Sequence, residues 1–281
     1  MNKSIKQWFP IFVLPTLLAF LIAFAIPFFM GLFLSFTEFR TVSDAVFVGF
    51  KNYIQIFKAD TGFWNSLWFT VKFAITSVLT INVFAFSLAL LLTKSIPGTS
   101  IFRTIFFMPN LIGGIVLGYI WQLIINGILY QFEYSITSKA QFGFWGLIVM
   151  MNWQMIGYMM IIYIAGIQNI PTQILEAAKV DGAGPITTLF KIIIPSVMPS
   201  VTICLFFTIT NAFKMFDQNL ALTAGAPSGR TRMLALDIFE TFYSRTGYEG
   251  VGQAKAVIFF IIVAVISLLQ LWFTRRKEVE T

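Results

Sequence analysis

The sequence predicts an all-α membrane protein with six transmembrane helices. Three observations carry that expectation. Hydrophobic residues make up 58% of the chain and charged residues 11%, against roughly 25% charged in a soluble domain, so there is too little polar surface to wrap a water-soluble globule. The charges also leave six long gaps, between Lys6 and Glu38, Lys72 and Lys94, Arg103 and Glu133, Lys139 and Glu176, Lys191 and Lys214, and Lys255 and Arg275. Each gap is close to, or longer than, the roughly 20 apolar residues that a helix needs to cross a bilayer. The apolar residues come in continuous runs, not in the alternating ~10-residue segments of a membrane barrel.

The elements follow in order. Residues 12–36 are too long for a signal-peptide core and lead into Thr37-Glu38-Phe39 rather than a small-residue cleavage site; they read as a retained first span. Pro15 or Pro27 would kink it. Residues 49–57 suit a short amphipathic helix at the membrane surface. Span two covers about residues 66–93. A polar turn, residues 94–100, leads through Arg103 into span three, about 104–126, where Gly114 and Gly118 form a G-x-x-x-G pair that admits a close helix neighbour. Spans four, five and six cover about 144–167, 197–219 and 251–273. A polar loop over 127–142 and a longer one over 221–250 complete the chain, which reads as one transmembrane domain, 1–281.

Composition removes several function classes. The chain has no histidine and one cysteine, Cys204, so no His-based metal site or general base, no internal disulfide and no thiolate cluster exist. Cys204 falls inside span five and reads as a small core residue. No P-loop pattern occurs, so the chain does not itself hold a nucleotide that way. The net charge of +7 is thinly spread and partly at helix ends, where lipid headgroups are the ordinary partner and nucleic acid is not. Lys and Arg tie between the two sides of the membrane. The short flanks, which weigh most, place both termini and the 94–103 turn in the cytoplasm.

The most informative stretch lies between spans four and five. Ile174, Leu175, Ala177 and Ala178 give a short helix a small apolar face. Gly182 can end it by taking the left-handed conformation, and Pro185 suits the first turn of a second helix. The loop therefore folds as helix, sharp turn, helix. It is either an elbow that returns the chain to span five or a knob that a cytoplasmic partner grips.

The spacing Glu-Ala-Ala-x-x-Asp-Gly-Ala, then Phe, Ile and Pro, is supplied by Glu176, Ala177, Ala178, Asp181, Gly182, Ala183, Phe190, Ile193 and Pro195. It resembles the EAA loop of permease subunits of bacterial ABC importers. The Asp-Gly-Ala form, Asn52-Tyr53, the run from Phe102 to Pro109, and Leu222-Thr223 with Gly225 and Pro227 look like the carbohydrate-uptake branch, in particular the maltose-type first permease. The resemblance covers roughly residues 46–273.

What it implies is a type I ABC importer permease fold with the EAA coupling loop, 169–195, in the cytoplasm of a bacterial cell. It implies a second homologous permease and two ATP-binding cassette subunits that carry ATP and Mg, this chain having no cofactor of its own. An extracellular binding protein would deliver the sugar. Glu176 would cap or pair with a basic group of the ATPase, or else lie solvated. By position, Gln154, Met155 and Tyr158 on span four and Thr208, Asn211, Ala212 and Met215 on span five would face the substrate, expected to be a neutral di- or oligosaccharide. Amides suit sugar hydroxyls and an aromatic suits a ring face, although Asn, Gln and Thr also bond helix to helix in bundles. Lys72, early in span two, can snorkel outward. Lys214 can pair with Asp217 three residues on, or greet an anionic sugar. A secondary transporter, or an importer permease for an amino acid or metal, are the competing readings; no inverted repeat favours the first.

Overall fold

A computed structural model describes residues 3–94 and 97–278. The chain forms two compact units, one from residues 1–60 and 238–260, the other from 61–237 and 261–281. Among the described residues five helices are long and apolar enough to cross a membrane, and a bent helix pair makes a sixth span when its two arms are taken together.

In the first unit, α1 (Lys3–Phe20) runs through a π-helical turn, Leu21–Ala25, into α2 (Ile26–Leu34). Of the two prolines expected to disturb this span, Pro27 is the one that does. Its ring would meet the carbonyl four residues back, at Ala23, and the widened turn is centred there. A short ribbon pairs β1 (Thr37–Glu38) with β2 (Val46–Phe47). Between them Asp44 accepts the backbone N–H of Thr41 and of Arg40, which holds its carboxyl below the usual carboxylate range. The expected surface helix forms as α3 (Lys51–Ala59). Asn52 is buried on it and donates to the carbonyls of Ser35 and Thr37, 3.0 and 2.8 Å away. Deeper in this unit the fully buried Lys255 contacts Asp60 at 2.7 Å and Thr241 at 2.8 Å.

The second unit is built on α4 (Thr61–Leu92). The polar turn that follows is described at Lys94 and from Pro97 onward; Ser95 and Ile96 lie outside the described residues. Span three departs from expectation. α5 (Thr99–Phe107) gives way to a 3-10 turn, Met108–Leu111, and only α6 (Gly114–Leu129) continues. Pro109, which has no N–H, sits at the break. α7 (Ala140–Gln168), α8 (Thr172–Val180) and α9 (Pro185–Thr188) follow, then a second π-helical turn, Leu189–Ile193, and α10 (Ile194–Ser196). The chain bends by 70° into α11 (Met198–Phe213). α12 (Asp217–Leu222), α13 (Leu234–Ser244) and α14 (Glu249–Arg275) complete the chain, residues 238–260 of the last two belonging to the first unit. Span five is thus shorter than expected, and the 221–250 segment, expected as loop, contains α13.

α4, α7 and α11 pack together through Phe73, Ile81, Ala85, Met150, Met159, Met160, Cys204 and Ala212, all buried. Cys204 is a core residue, as its place in a span suggested. The G-x-x-x-G pair does admit a close neighbour, and it is α12. A Cβ on Gly118 would stand 2.5 Å from the Ala221 Cβ, and one on Gly114 2.8 Å from that of Asp217. Any larger side chain would push the two helices apart.

Candidate functional site

Backbone geometry shapes the turn between α8 and α9. Past the end of α8, Gly182 takes φ +74°. Its N–H donates to the Lys179 carbonyl at 3.1 Å, and the Ala183 N–H reaches back to Ala178 at 2.9 Å. This pair of bonds is a Schellman motif, which closes a helix end with a left-handed residue and favours glycine there. Pro185 opens α9 from the first-turn position, with Gly184 extended before it. Two residues past the second π turn stands Pro195, the same offset as Pro27 from the first. Helix, sharp turn, helix is therefore the observed form.

Of the six motif residues, Glu176, Ala177, Asp181 and Gly182 are exposed, Ala183 is half-buried and Ala178 is buried. Around them Val180, Ile186 and Phe190 are 87%, 72% and 63% exposed. Exposed apolar side chains around small residues make a surface suited to a protein cleft.

The seven residues expected to face substrate divide. Met155, Thr208, Ala212 and Met215 are buried within the second unit, where they pack. Thr208 shows why: its hydroxyl bonds the Cys204 carbonyl at 2.8 Å and accepts from Asn82 at 3.1 Å. Asn82 in turn accepts from the Tyr163 hydroxyl at 2.7 Å, so Thr208 belongs to a helix-to-helix polar chain. Gln154, Tyr158 and Asn211 keep exposed surface. The Tyr158 ring lies 6.3 Å from Phe107 and 6.0 Å from Phe207. Asn211 donates to its own helix at Phe207, 2.8 Å. Gln154 accepts from Gln218 at 3.1 Å and donates to the Ile112 carbonyl at 3.3 Å. Sequence reasoning passed over Gln218, although it follows Asp217 directly on a short polar helix.

Lys214 and Asp217 are not paired. Lys214 caps the end of α11 and Asp217 starts α12, so the three-residue spacing no longer places them on one helix face. Among the described residues Lys214 has no ion pair. Lys72 reaches back one turn, its Nζ 5.5 Å from the Trp68 ring centre.

A second overlooked residue is Asn219, which is fully buried. It donates to the Thr231 carbonyl at 2.8 Å and to the Thr223 hydroxyl at 3.0 Å, and accepts the Met233 N–H at 2.9 Å. One side chain thus ties down both ends of the segment that contains Thr223, Gly225 and Pro227. Its position, three residues before Leu222-Thr223, was the available signal.

Residues 81–279 match the family described as binding-protein-dependent transport system inner membrane component. The chain is 44% identical to a probable starch degradation products transport system permease protein of Thermoanaerobacterium thermosulfurigenes, covering 97% of this chain and 96% of that one. It is 29% identical to a multiple sugar-binding transport system permease protein of Streptococcus mutans, over 98% and 97% of the two chains. Its fold is similar to a chain in the crystal structure of a bacterial ABC transporter involved in the import of the acidic polysaccharide alginate. The TM-score is 0.83 at 20% identity, with 98% of each chain covered.

Proposed function

Because the chain belongs to the family of binding-protein-dependent transport system inner membrane components, we propose that it is the sugar-conducting subunit of an ATP-driven importer in a bacterial cell membrane. It is a multi-pass transport component and not an enzyme. The sugar reading is supported by the two permease relatives, whose names specify starch degradation products and multiple sugars. The cargo in this reading is a neutral di- or oligosaccharide, handed over by an extracellular binding protein.

In this reading the two units act as one permease domain, beside a second homologous permease and above two ATPase subunits that hold ATP and Mg. Both termini and the 169–195 loop face the cytoplasm. The observation that carries the coupling role is the glycine-closed turn at Gly182, which holds Glu176, Ala177, Asp181, Val180 and Phe190 outward. A short helix held at both ends by spans can pass a rigid-body motion from one protein to another. Ala178 and Ala183, small and turned inward, let that helix lie close. Gln154, Tyr158 and Asn211 are the residues left with surface for a sugar, while Met155, Thr208, Ala212 and Met215 support them from behind.

The test is uptake by the assembled transporter in proteoliposomes, with maltooligosaccharide and the binding protein outside. Uptake should need both ATP and the binding protein. Uptake indifferent to ATP would return the chain to a secondary transporter. Orientation has its own check: since the lone native Cys204 is buried, Ser228→Cys should react with an impermeant thiol reagent outside intact cells, and Gly182→Cys should not.

A second reading, an anionic sugar as cargo, is favoured by Lys214. It stands exposed three residues past Asn211 with no ion pair among the described residues, so its charge is free to meet an acid group.

A further inference from the structure

The second unit has a cavity of about 510 Å³ where the starts of α4 and α7 meet the turn at residues 228–230. Asn65, Trp68 and Lys72 line it from α4, Gln141 and Trp145 from α7, and Arg230 from the turn. Among the described residues no acid lines it, and neither Lys72 nor Arg230 has an ion pair. Two cations on facing walls, with no carboxylate between them, favour an anion. Trp68 and Trp145 are 62% and 57% exposed, and indoles near the ends of spans mark the level of lipid headgroups.

One and two turns further along α4, below Lys72, stand Ile75 and Leu79, each 66% exposed. With Val71, Val78, Leu205 and Ile209 they line a second cavity of about 490 Å³, whose one polar lining residue among those described is Asn82. A cationic, aromatic cavity is thus followed along the same helix by an apolar one. A free anion or a soluble acidic saccharide would use only the first. An amphiphile would use both.

We propose that the two cavities together seat one anionic phospholipid. Its phosphate lies between Lys72 and Arg230, and an acyl chain runs along Ile75 and Leu79. With both termini in the cytoplasm, as the proposed function has them, this lipid belongs to the outer leaflet. It fills a site apart from the residues read as facing sugar, and it ties the 228–230 turn to the membrane surface.

The full chain, produced with its partner subunits, is placed in nanodiscs of phosphatidylcholine containing one part in ten phosphatidylglycerol. Lipid retained after transfer to detergent is counted by native mass spectrometry. The wild type should keep phosphatidylglycerol in preference to phosphatidylcholine. Lys72→Gln with Arg230→Gln should lower its retention by at least about fivefold, for two lost charge-assisted contacts. Lys72→Arg should retain it, and Ile75→Ser with Leu79→Ser should lose it. Equal retention of both lipids, or no change in the double Gln variant, overturns the proposal. So does displacement of the lipid by millimolar glycerol phosphate or by a soluble uronate oligosaccharide, which assigns the first cavity to a free anion.

Discussion

Two connecting segments of the second unit, residues 172–196 and 219–233, reach a defined shape by opposite means. The first is set by its own backbone. Gly182 closes α8, Pro185 opens α9, and Glu176, Val180, Asp181, Ile186 and Phe190 around them stand exposed. The second is set from inside by a buried side chain, Asn219, which holds Thr223, Thr231 and Met233 at once. A segment shaped by backbone leaves its side chains free to meet a partner. A segment shaped by a buried amide has committed its polar groups to itself. The difference separates a surface made for docking from one made for holding position.

The largest effect should come from breaking the buried amide. Asn219→Ala leaves the Met233 N–H and the Thr231 carbonyl without a partner, at about 1–3 kcal/mol for each buried group left unsatisfied. Membrane abundance should fall, and the purified chain should melt several degrees lower. Normal abundance with an unshifted melting temperature would end the contrast between the two segments.

Next comes the backbone-shaped segment. Gly182→Val forces a β-branched residue into the left-handed region, at a cost of about 1–2 kcal/mol. Abundance should stay near wild type while transport is lost, and Glu176→Lys should act the same way through charge. Wild-type transport by either variant, with the ATPase bound, would leave the loop a mere elbow.

α11 joins the two segments and sharpens the comparison further. Asn211→Ala and Tyr158→Ala should each raise the sugar concentration needed for half-maximal uptake about tenfold, the equivalent of one buried hydrogen bond left unmade. Thr208→Ala, at a residue already engaged with Asn82 and Cys204, should instead lower abundance. An unchanged concentration dependence in both surface variants would remove them from the substrate path.

The smallest effect is expected at Lys214. Lys214→Met should change uptake of a neutral sugar by less than about twofold, since an exposed charge with no partner contributes little. Efficient uptake of an anionic sugar by the wild type, lost in Lys214→Met, would favour the anionic cargo.

Much of this molecule is written locally. The charge-free windows located the spans, because a bilayer demands long apolar runs whatever surrounds them. The turn at Gly182 and the helix start at Pro185 were legible for the same reason: a left-handed residue and a missing N–H act within a few residues of themselves. The G-x-x-x-G pair announced a close neighbour without naming it.

Only the tertiary structure decided the rest. It ended α11 at Phe213. It made α12 the partner of Gly114 and Gly118, separated Lys214 from Asp217, and turned Met155, Thr208, Ala212 and Met215 inward. It also gave Asn219 and Asn82 their work. Helical spacing fixes which residues share a face, but every face of an apolar helix is equally at home in lipid. Which face meets protein is settled by packing between segments far apart in the chain, and no local pattern records that choice.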